Sequence, residues 1–181
     1  MGNRLRLLFP AITMPIQKLK GTKDLLGREA IRWHAIEEKA CHVFGEFGFE
    51  QIRTPVLEET ALFKRSVGDA TDIVQKEMYH FEDRSGTDIA LRPEGTAGVV
   101  RSFIENHLDK EKPVQKLYYF GPMFRAERPQ AGRLRQFHQI GLEIFGGSSV
   151  YADAECMEVL VRFLTALNIR DFKLQINHLG K

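Results

Sequence analysis

Cysteine is scarce: Cys41 and Cys156 are the only two in 181 residues, far apart and without paired spacing. That excludes a disulfide framework and a cysteine-based zinc site and fits a reducing cytoplasm. Histidine is no better placed for a metal. The six are scattered, none at ligand spacing with a cysteine or carboxylate, so no metal-ligating residue is expected. Charge of one sign is missing too. A formal net charge of +2 is too small for a purely electrostatic nucleic-acid binder, which carries a basic stripe or a far more basic balance. The one local concentration is Arg125, Arg128, Arg133 and Arg135. No apolar run is long enough to span a bilayer. Residues 1–13 hold Arg4, Arg6 and a short apolar stretch, Leu7 to Phe9, broken by Pro10. A signal peptide needs a longer apolar region and a small-residue cleavage site. Residues 1–13 therefore read as an upstream extension, with Met14 as the natural start.

What is present is core material. Hydrophobic residues make up 43% of the chain and no segment is compositionally simple, which excludes general disorder. The length suits one domain with a substantial core. After Gly21-Thr22-Lys23-Asp24, apolar residues recur at Trp33, Ile36, Ala40, Val43, Phe44 and Phe47. Those gaps of three and four predict an amphipathic helix ending near Gly48. Phe49 to Leu57 reads as one strand carrying Pro55; proline cannot donate to a ladder, so the strand belongs at an edge or a subunit contact. Tyr79 and Phe81, a turn at Ser85-Gly86, and Ile89 to Leu91 predict a hairpin. A second helix runs through Val99, Val100, Phe103, Ile104 and His107. Two strand-like stretches, Leu117 to Arg125 and Arg135 to Phe145, flank an arginine-rich loop. A third helix carries Met157, Leu160, Val161, Leu164 and Leu167, and Phe172, Leu174 and Ile176 alternate in a final strand. Strands adjacent in sequence, with helices between groups, predict an α+β fold with a mostly antiparallel sheet.

The strand Phe137 to Phe145 carries the most chemistry. Alternate side chains point to opposite faces. One face presents Ile140, Leu142 and Ile144, an ordinary core surface. The other presents Phe137, Gln139, Gly141 and Glu143. An amide and a carboxylate flanking a glycine make a poor hydrophobic face but a good pocket floor: glycine admits close approach, and Phe137 offers a platform for a ring. A solvated sheet face is the bland alternative. The preceding strand places Tyr119, Gly121, Met123 and Arg125 together. If the two strands pair, Arg125 lies beside the Phe137–Glu143 row, where its fork of donors suits phosphate or carboxylate. Leu91-Arg92-Pro93-Glu94-Gly95-Thr96 ends a strand and opens a helix, with Glu94 as acceptor, Gly95 permitting an unusual turn and Thr96 as hydroxyl. Helix capping is the plain reading of that segment.

The run Phe120-Gly121-Pro122-Met123-Phe124-Arg125-Ala126-Glu127-Arg128-Pro129, then Gly132-Arg133, then Arg135-Gln136-Phe137-His138-Gln139, resembles motif 2 of class II aminoacyl-tRNA synthetases in its histidyl-tRNA synthetase form. Phe49 to Glu58 resembles motif 1, and Leu91 to Thr96 resembles that family's histidine-binding segment. The similarity runs from about Lys20 to the end. It implies a class II synthetase-type antiparallel sheet flanked by helices, incomplete here. Residues 14–181 correspond to the amino-terminal part of the catalytic domain, with motifs 1 and 2. Motif 3, a second arginine-bearing histidine segment and the anticodon-binding domain are not in this sequence. His178 stands where the family often has a small hydroxyl residue.

The resemblance assigns histidine to Glu94, Gly95, Thr96, Arg125, Gln139 and Glu143, and ATP to Arg125, Glu127, Arg133 and Phe137. Arg125 is the catalytic residue, facing the α-phosphate and the histidine carboxylate. Implied partners are histidine, ATP with Mg²⁺, tRNA(His) and a second copy of the chain through motif 1. The implied activity is a cytoplasmic ligase of protein biosynthesis, forming histidyl-adenylate and transferring histidine to tRNA, with this stretch alone inactive. Two alternatives remain: the paralogous regulatory subunit of ATP phosphoribosyltransferase, and a binding module without catalysis.

Overall fold

The computed structural model describes residues 16–68, 70–128, 132–147 and 149–177. The extension at residues 1–13, the start at Met14 and the departure at His178 lie outside them. Helix α1 spans Arg28–Glu46, with Ala40, Val43 and Phe44 buried. It ends at Gly48, whose φ of 74° turns the chain outward at low cost because glycine carries no Cβ. Phe49 then enters the core and Glu50–Gln51 (β1) pairs in parallel with β5, Gln115–Phe124. The ten-residue partner of β5 is β6, Gln136–Phe145, antiparallel in unbroken register from Gln115↔Phe145 to Phe124↔Gln136. These form one three-stranded sheet, β1-β5-β6.

A second small sheet has the order β2-β4-β3, from Leu57–Glu59 (β2), His80–Glu82 (β3) and Asp88–Leu91 (β4), all antiparallel. The expected hairpin at 79–91 is β3–β4. The expected single strand from Phe49 to Leu57 is instead two short strands, one in each sheet. Pro55 cannot donate, and the carbonyls of Thr54 and Pro55 turn away from any ladder to accept from the Arg92 guanidinium. Both fragments are at sheet edges, as the proline requires.

Between β2 and β3 run α2, Thr60–Val67, and a five-residue π-helical turn, Ile73–Glu77, neither anticipated from periodicity. Helix α3 spans Thr96–Glu105 and α4 spans Val150–Ala166. No strand forms at 172–177. The alternation there has no sheet face to pack on, and Phe172, Leu174 and Ile176 stay 36%, 42% and 71% exposed.

The β5–β6 ribbon is covered on both faces. Ile140, Leu142 and Ile144 pack with Tyr118 against α1 and α4, in a cluster with Phe44, Phe49, Val159 and Phe163. Leu117, Tyr119 and Met123 form the other face, with Val99 of α3 and with Phe137 and Phe145. Phe145 stacks on Phe103 of α3, ring centroids 4.1 Å apart. The amino end of α3 is thereby held over the middle of the ribbon.

Candidate histidine and nucleotide site

Register decides which side chains meet. Met123 lies opposite Phe137, Gly121 opposite Gln139, Tyr119 opposite Gly141 and Leu117 opposite Glu143. Cross-strand partners share a face, so the expected row of Phe137, Gln139, Gly141 and Glu143 lies beside the row of Tyr119, Gly121 and Met123. The two faces separate as the alternation predicted.

What approaches the glycines is the protein itself. A Cβ on Gly141 would collide with the Tyr119 ring, and so would one on Gly95. The ring is wedged between β6 and the start of α3. Gly95 has φ −100°, an ordinary value; it is required for room, not for the unusual turn expected of it. Gly121 similarly makes room for the Arg92 guanidinium.

Glu94 caps α3: its carboxylate accepts from the amides of Thr96 at 2.6 Å and Ala97 at 2.8 Å. A carboxylate there satisfies otherwise unpaired amides and complements the helix dipole. The Thr96 hydroxyl is thereby free of capping and donates to Glu143 Oε1 at 2.7 Å. Burial holds the Glu143 carboxyl above its ordinary range; the Thr96 hydrogen bond opposes this and the Glu94 charge adds to it. Burial likewise raises the Tyr119 phenol. Between Phe137 and Gly141, Gln139 Oε1 is buried and has no hydrogen-bond partner among the described residues. A buried acceptor left unmade is costly, and this one lies in the same row as Glu143.

Arg125 closes the other end. Its Nε donates to the Pro93 carbonyl at 3.0 Å, and its guanidinium sits 5.1 Å from the centre of the Phe137 ring, a cation–π arrangement. Glu127 stands between two arginines, 3.9 Å from Arg125 Nη1 and 3.2 Å from Arg133 Nη1. Arg125, Glu127, Gly132, Arg133, Leu134 and Phe137 line a cleft of about 440 Å³. The predicted nucleotide residues therefore meet in one place, adjacent to the Gln139–Glu143 row. Glu94 stands slightly apart in role, since both its carboxylate oxygens are engaged by the helix.

Arg92 escaped the sequence reading. It is 8% exposed and donates to the carbonyls of Thr54, Pro55 and Pro122. Burial lowers its pKa, yet an arginine keeps its charge. It fastens the motif 1 segment to β5 directly behind Gly121. The available signal was an arginine placed at a strand end immediately before the Pro93-Glu94-Gly95 turn.

Among the described residues, no three His, Cys, Asp or Glu side chains form a metal cluster, and no helix is long and apolar enough to cross a membrane.

Comparison with known proteins agrees with this geometry. The family profile described as histidyl-tRNA synthetase matches residues 21–180. The chain is 54% identical over 165 residues to a histidine–tRNA ligase of Desulfosudis oleivorans, covering 91% of this chain and 39% of that one. It is 51% identical over 166 residues to the chloroplastic histidine–tRNA ligase of Porphyra purpurea, with 92% and 39% covered. The chain thus spans about two fifths of the length of these curated relatives. Among solved structures, the apo histidyl-tRNA synthetase of S. aureus superposes with a TM-score of 0.70 at 36% identity, covering 83% of this chain and 34% of that one. A protein titled ATP phosphoribosyltransferase regulatory subunit/histidyl-tRNA synthetase, from Bacillus halodurans C, gives 0.75 at 25% identity, covering 88% and 40%. On these matches, the chain belongs to the histidyl-tRNA synthetase family.

Proposed function

We propose that residues 14–181 are the amino-terminal part of a class II catalytic domain, and that the whole protein activates histidine with ATP and transfers it to tRNA(His). The observation that carries this reading is the continuity of one row on β6. The Gln139 acceptor, without a partner among the described residues, and the half-buried Glu143 carboxylate adjoin a cleft walled by Arg125, Glu127, Arg133 and Phe137. Histidine presents an ammonium group, a carboxylate and a ring with one donor and one acceptor. Gln139 and Glu143 supply acceptors for its N–H groups, and Thr96 supplies a hydroxyl. Glu94 contributes its charge while holding the loop. Mismatched amino acids leave these buried groups unpaired, which discriminates strongly.

Arg125 stands where the histidine pocket meets the nucleotide cleft. There it holds two anions together, the histidine carboxylate and the α-phosphate, and stabilises the charge that accumulates as the carboxylate attacks phosphorus. Phe137 supports the adenine and the Arg125 guanidinium together. Mg²⁺ would arrive with the nucleotide: among the described residues Glu127 is the only carboxylate lining the cleft, and Mg²⁺ is usually held by few carboxylates plus substrate phosphates; bound there it would neutralise phosphate charge. The exposed Arg128 and Arg133 suit the phosphates of the tRNA acceptor end. The protein works in the cytoplasm as a homodimer joined through the motif 1 segment.

The ATP phosphoribosyltransferase regulatory subunit named in the Bacillus halodurans title has this fold as well. The full set of Arg125, Glu127, Arg133 and Phe137 around one cleft favours the synthetase. Histidine-driven ATP–pyrophosphate exchange, measured in a protein of full family length carrying these residues, tests the reading. Exchange should depend on histidine alone among the amino acids and fall roughly 10²- to 10³-fold in Arg125→Ala. Exchange without histidine dependence, or unaffected by Arg125→Ala, would sink it.

A further inference from the structure

The loop end of the β5–β6 hairpin is gripped from outside by two backbone carbonyls. One ladder step beyond the last strand pair, the Arg125 amide donates to the Arg135 carbonyl at 2.9 Å. The amides of Arg135 and Gln136 in turn both donate to the Gly21 carbonyl, at 2.7 and 3.3 Å. On the other side, the Ala126 amide donates to the carbonyl of Glu77, the last residue of the π-helical turn, at 2.6 Å. The peptide that bears Arg125 is thus held between Arg135 and Glu77, and Arg135 is held by Gly21.

The Arg135 side chain runs back over the same turn. Its Nη1 reaches the Lys20 carbonyl and its Nε the Glu127 carbonyl, each at 3.4 Å. Position 21 accepts only glycine on two grounds. Its φ is +86°, and a Cβ there would lie 2.8 Å from Arg135 Cγ and 3.1 Å from Arg135 Cβ. Those atoms are the root of the side chain, not its free end, so they have little room to move.

We propose that the Lys20–Gly21 turn is a strap that sets the nucleotide cleft, with Gly21 a positioning residue that acts on Arg125 through the Arg135 backbone and touches no ligand itself. The proposal rests on reading the Arg125 cleft as the nucleotide site. It also removes Arg135 from the arginines available to phosphate in this conformation, because its guanidinium spans the strap and the loop. Gly27 is the natural control. It too has a positive φ, +53°, but nothing lies within 4 Å of its would-be Cβ, and its carbonyl accepts from Ile31 in the first turn of α1.

The test uses this chain with Gly21→Ala, Gly27→Ala and the double variant Gly21→Ala/Arg135→Ala. Amide hydrogen exchange, which reports local opening, should quicken about tenfold or more at Arg125, Arg135 and Gln136 in Gly21→Ala and not in Gly27→Ala. Arg135→Ala removes the Cγ and Cδ that the new methyl strikes but leaves the positive φ and the residue-135 Cβ, so the double variant should recover part of the protection at Arg125; a general loss of stability would not be repaired by a second truncation. By calorimetry, the ATP Kd should rise about tenfold in Gly21→Ala, while that of histidine, still held by Thr96, Gln139 and Glu143, changes threefold or less. Unchanged exchange at Arg125 in Gly21→Ala overturns the strap, as does equal weakening of both ligands or no recovery in the double variant. If the unsubstituted chain binds no ATP, the nucleotide reading falls, and exchange at Arg125 alone decides whether the strap exists.

Discussion

The Thr96 hydroxyl, at the first residue of α3, donates to the Glu143 carboxylate on β6 at 2.7 Å, joining positions 47 residues apart. This single bond ties the mouth of the helix to the floor of the pocket. Glu143 is half-buried, and burial raises its pKa with a smaller push from the Glu94 charge, while the Thr96 bond partly offsets the rise. Such a group is poorly satisfied until a positively charged ligand arrives.

Glu143→Gln therefore has opposite effects on binding and on stability. Losing a charge-assisted hydrogen bond costs roughly 1.5–3 kcal/mol, so histidine affinity and exchange at subsaturating histidine should fall by tens of times. For stability, a carboxyl whose folded pKa lies above its unfolded value contributes fully below the unfolded value. That contribution is lost as pH rises through the raised one. The ligand-free chain should therefore lose this contribution as pH rises above the ordinary carboxylate range, and Glu143→Gln should abolish that part of the slope. Melting curves from pH 4 to 7 and histidine titration check both. Unchanged histidine affinity would remove Glu143 from the site.

Gly95→Ala and Gly141→Ala should each destabilise by about 1–3 kcal/mol, the usual cost of overpacking, because each new methyl meets the same Tyr119 ring. In a Tyr119→Ala background, both penalties should shrink toward zero. Urea unfolding of the single and double variants measures the coupling. Full additivity would mean that the ring is not the obstacle.

Arg92→Lys preserves the charge but not the fork. A lysine cannot serve the carbonyls of Thr54, Pro55 and Pro122 together, and hydrogen bonds from a charged donor are worth about 1.5–3 kcal/mol each. A loss of about 3 kcal/mol or more is expected in chemical denaturation. A change under 1 kcal/mol would show that the bridge between the two sheets is dispensable.

Light scattering of a protein of full family length carrying these residues should give a dimer at micromolar concentration. The exposed residues of the broken strand, Gln51, Arg53, Pro55 and Leu57, are the ones available to a second copy. Phe49, expected at the same contact, is 4% exposed and packed in the chain's own core, so it does not take part directly. A monomer across that range would count against the motif 1 interface.

Residues 1–181 alone should not charge tRNA detectably. The cleft supplies Arg125 and Arg133, but the further arginines that the family resemblance places in later segments are not in this sequence. Losing one well-placed electrostatic donor commonly costs a hundred- to thousand-fold in rate. Incubation with radiolabelled histidine, ATP, Mg²⁺ and cognate tRNA is the assay. Charging at a rate near that of a full-length synthetase would mean that the later arginines are unnecessary.

Periodicity alone was enough for the helices α1, α3 and α4, the β3–β4 hairpin and the two faces of β6, because each pattern reflects burial that repeats within one element. The motif 2 resemblance likewise picks out Arg125, Glu127, Arg133 and Phe137, which the structure brings to one cleft. Other features depended on contacts between elements. Glu94 was read as a histidine ligand, yet its carboxylate is engaged by two amides of a helix whose start only the packing of Val99 and Phe103 settles. Gly141 looked like an opening for a ligand and Gly95 like the site of an unusual turn, but the Tyr119 ring fills the space over both. One strand at 49–57 became two because the carbonyls around Pro55 found a donor in Arg92, some 37 residues away. The alternation at 172–176 stayed without a strand because a strand needs a ladder, and the described residues offer none beside it. Local sequence determines which face of an element is apolar. Which polar groups and rings meet across elements is decided by the competition of buried donors and acceptors for partners, and that competition exists only once the chain has packed.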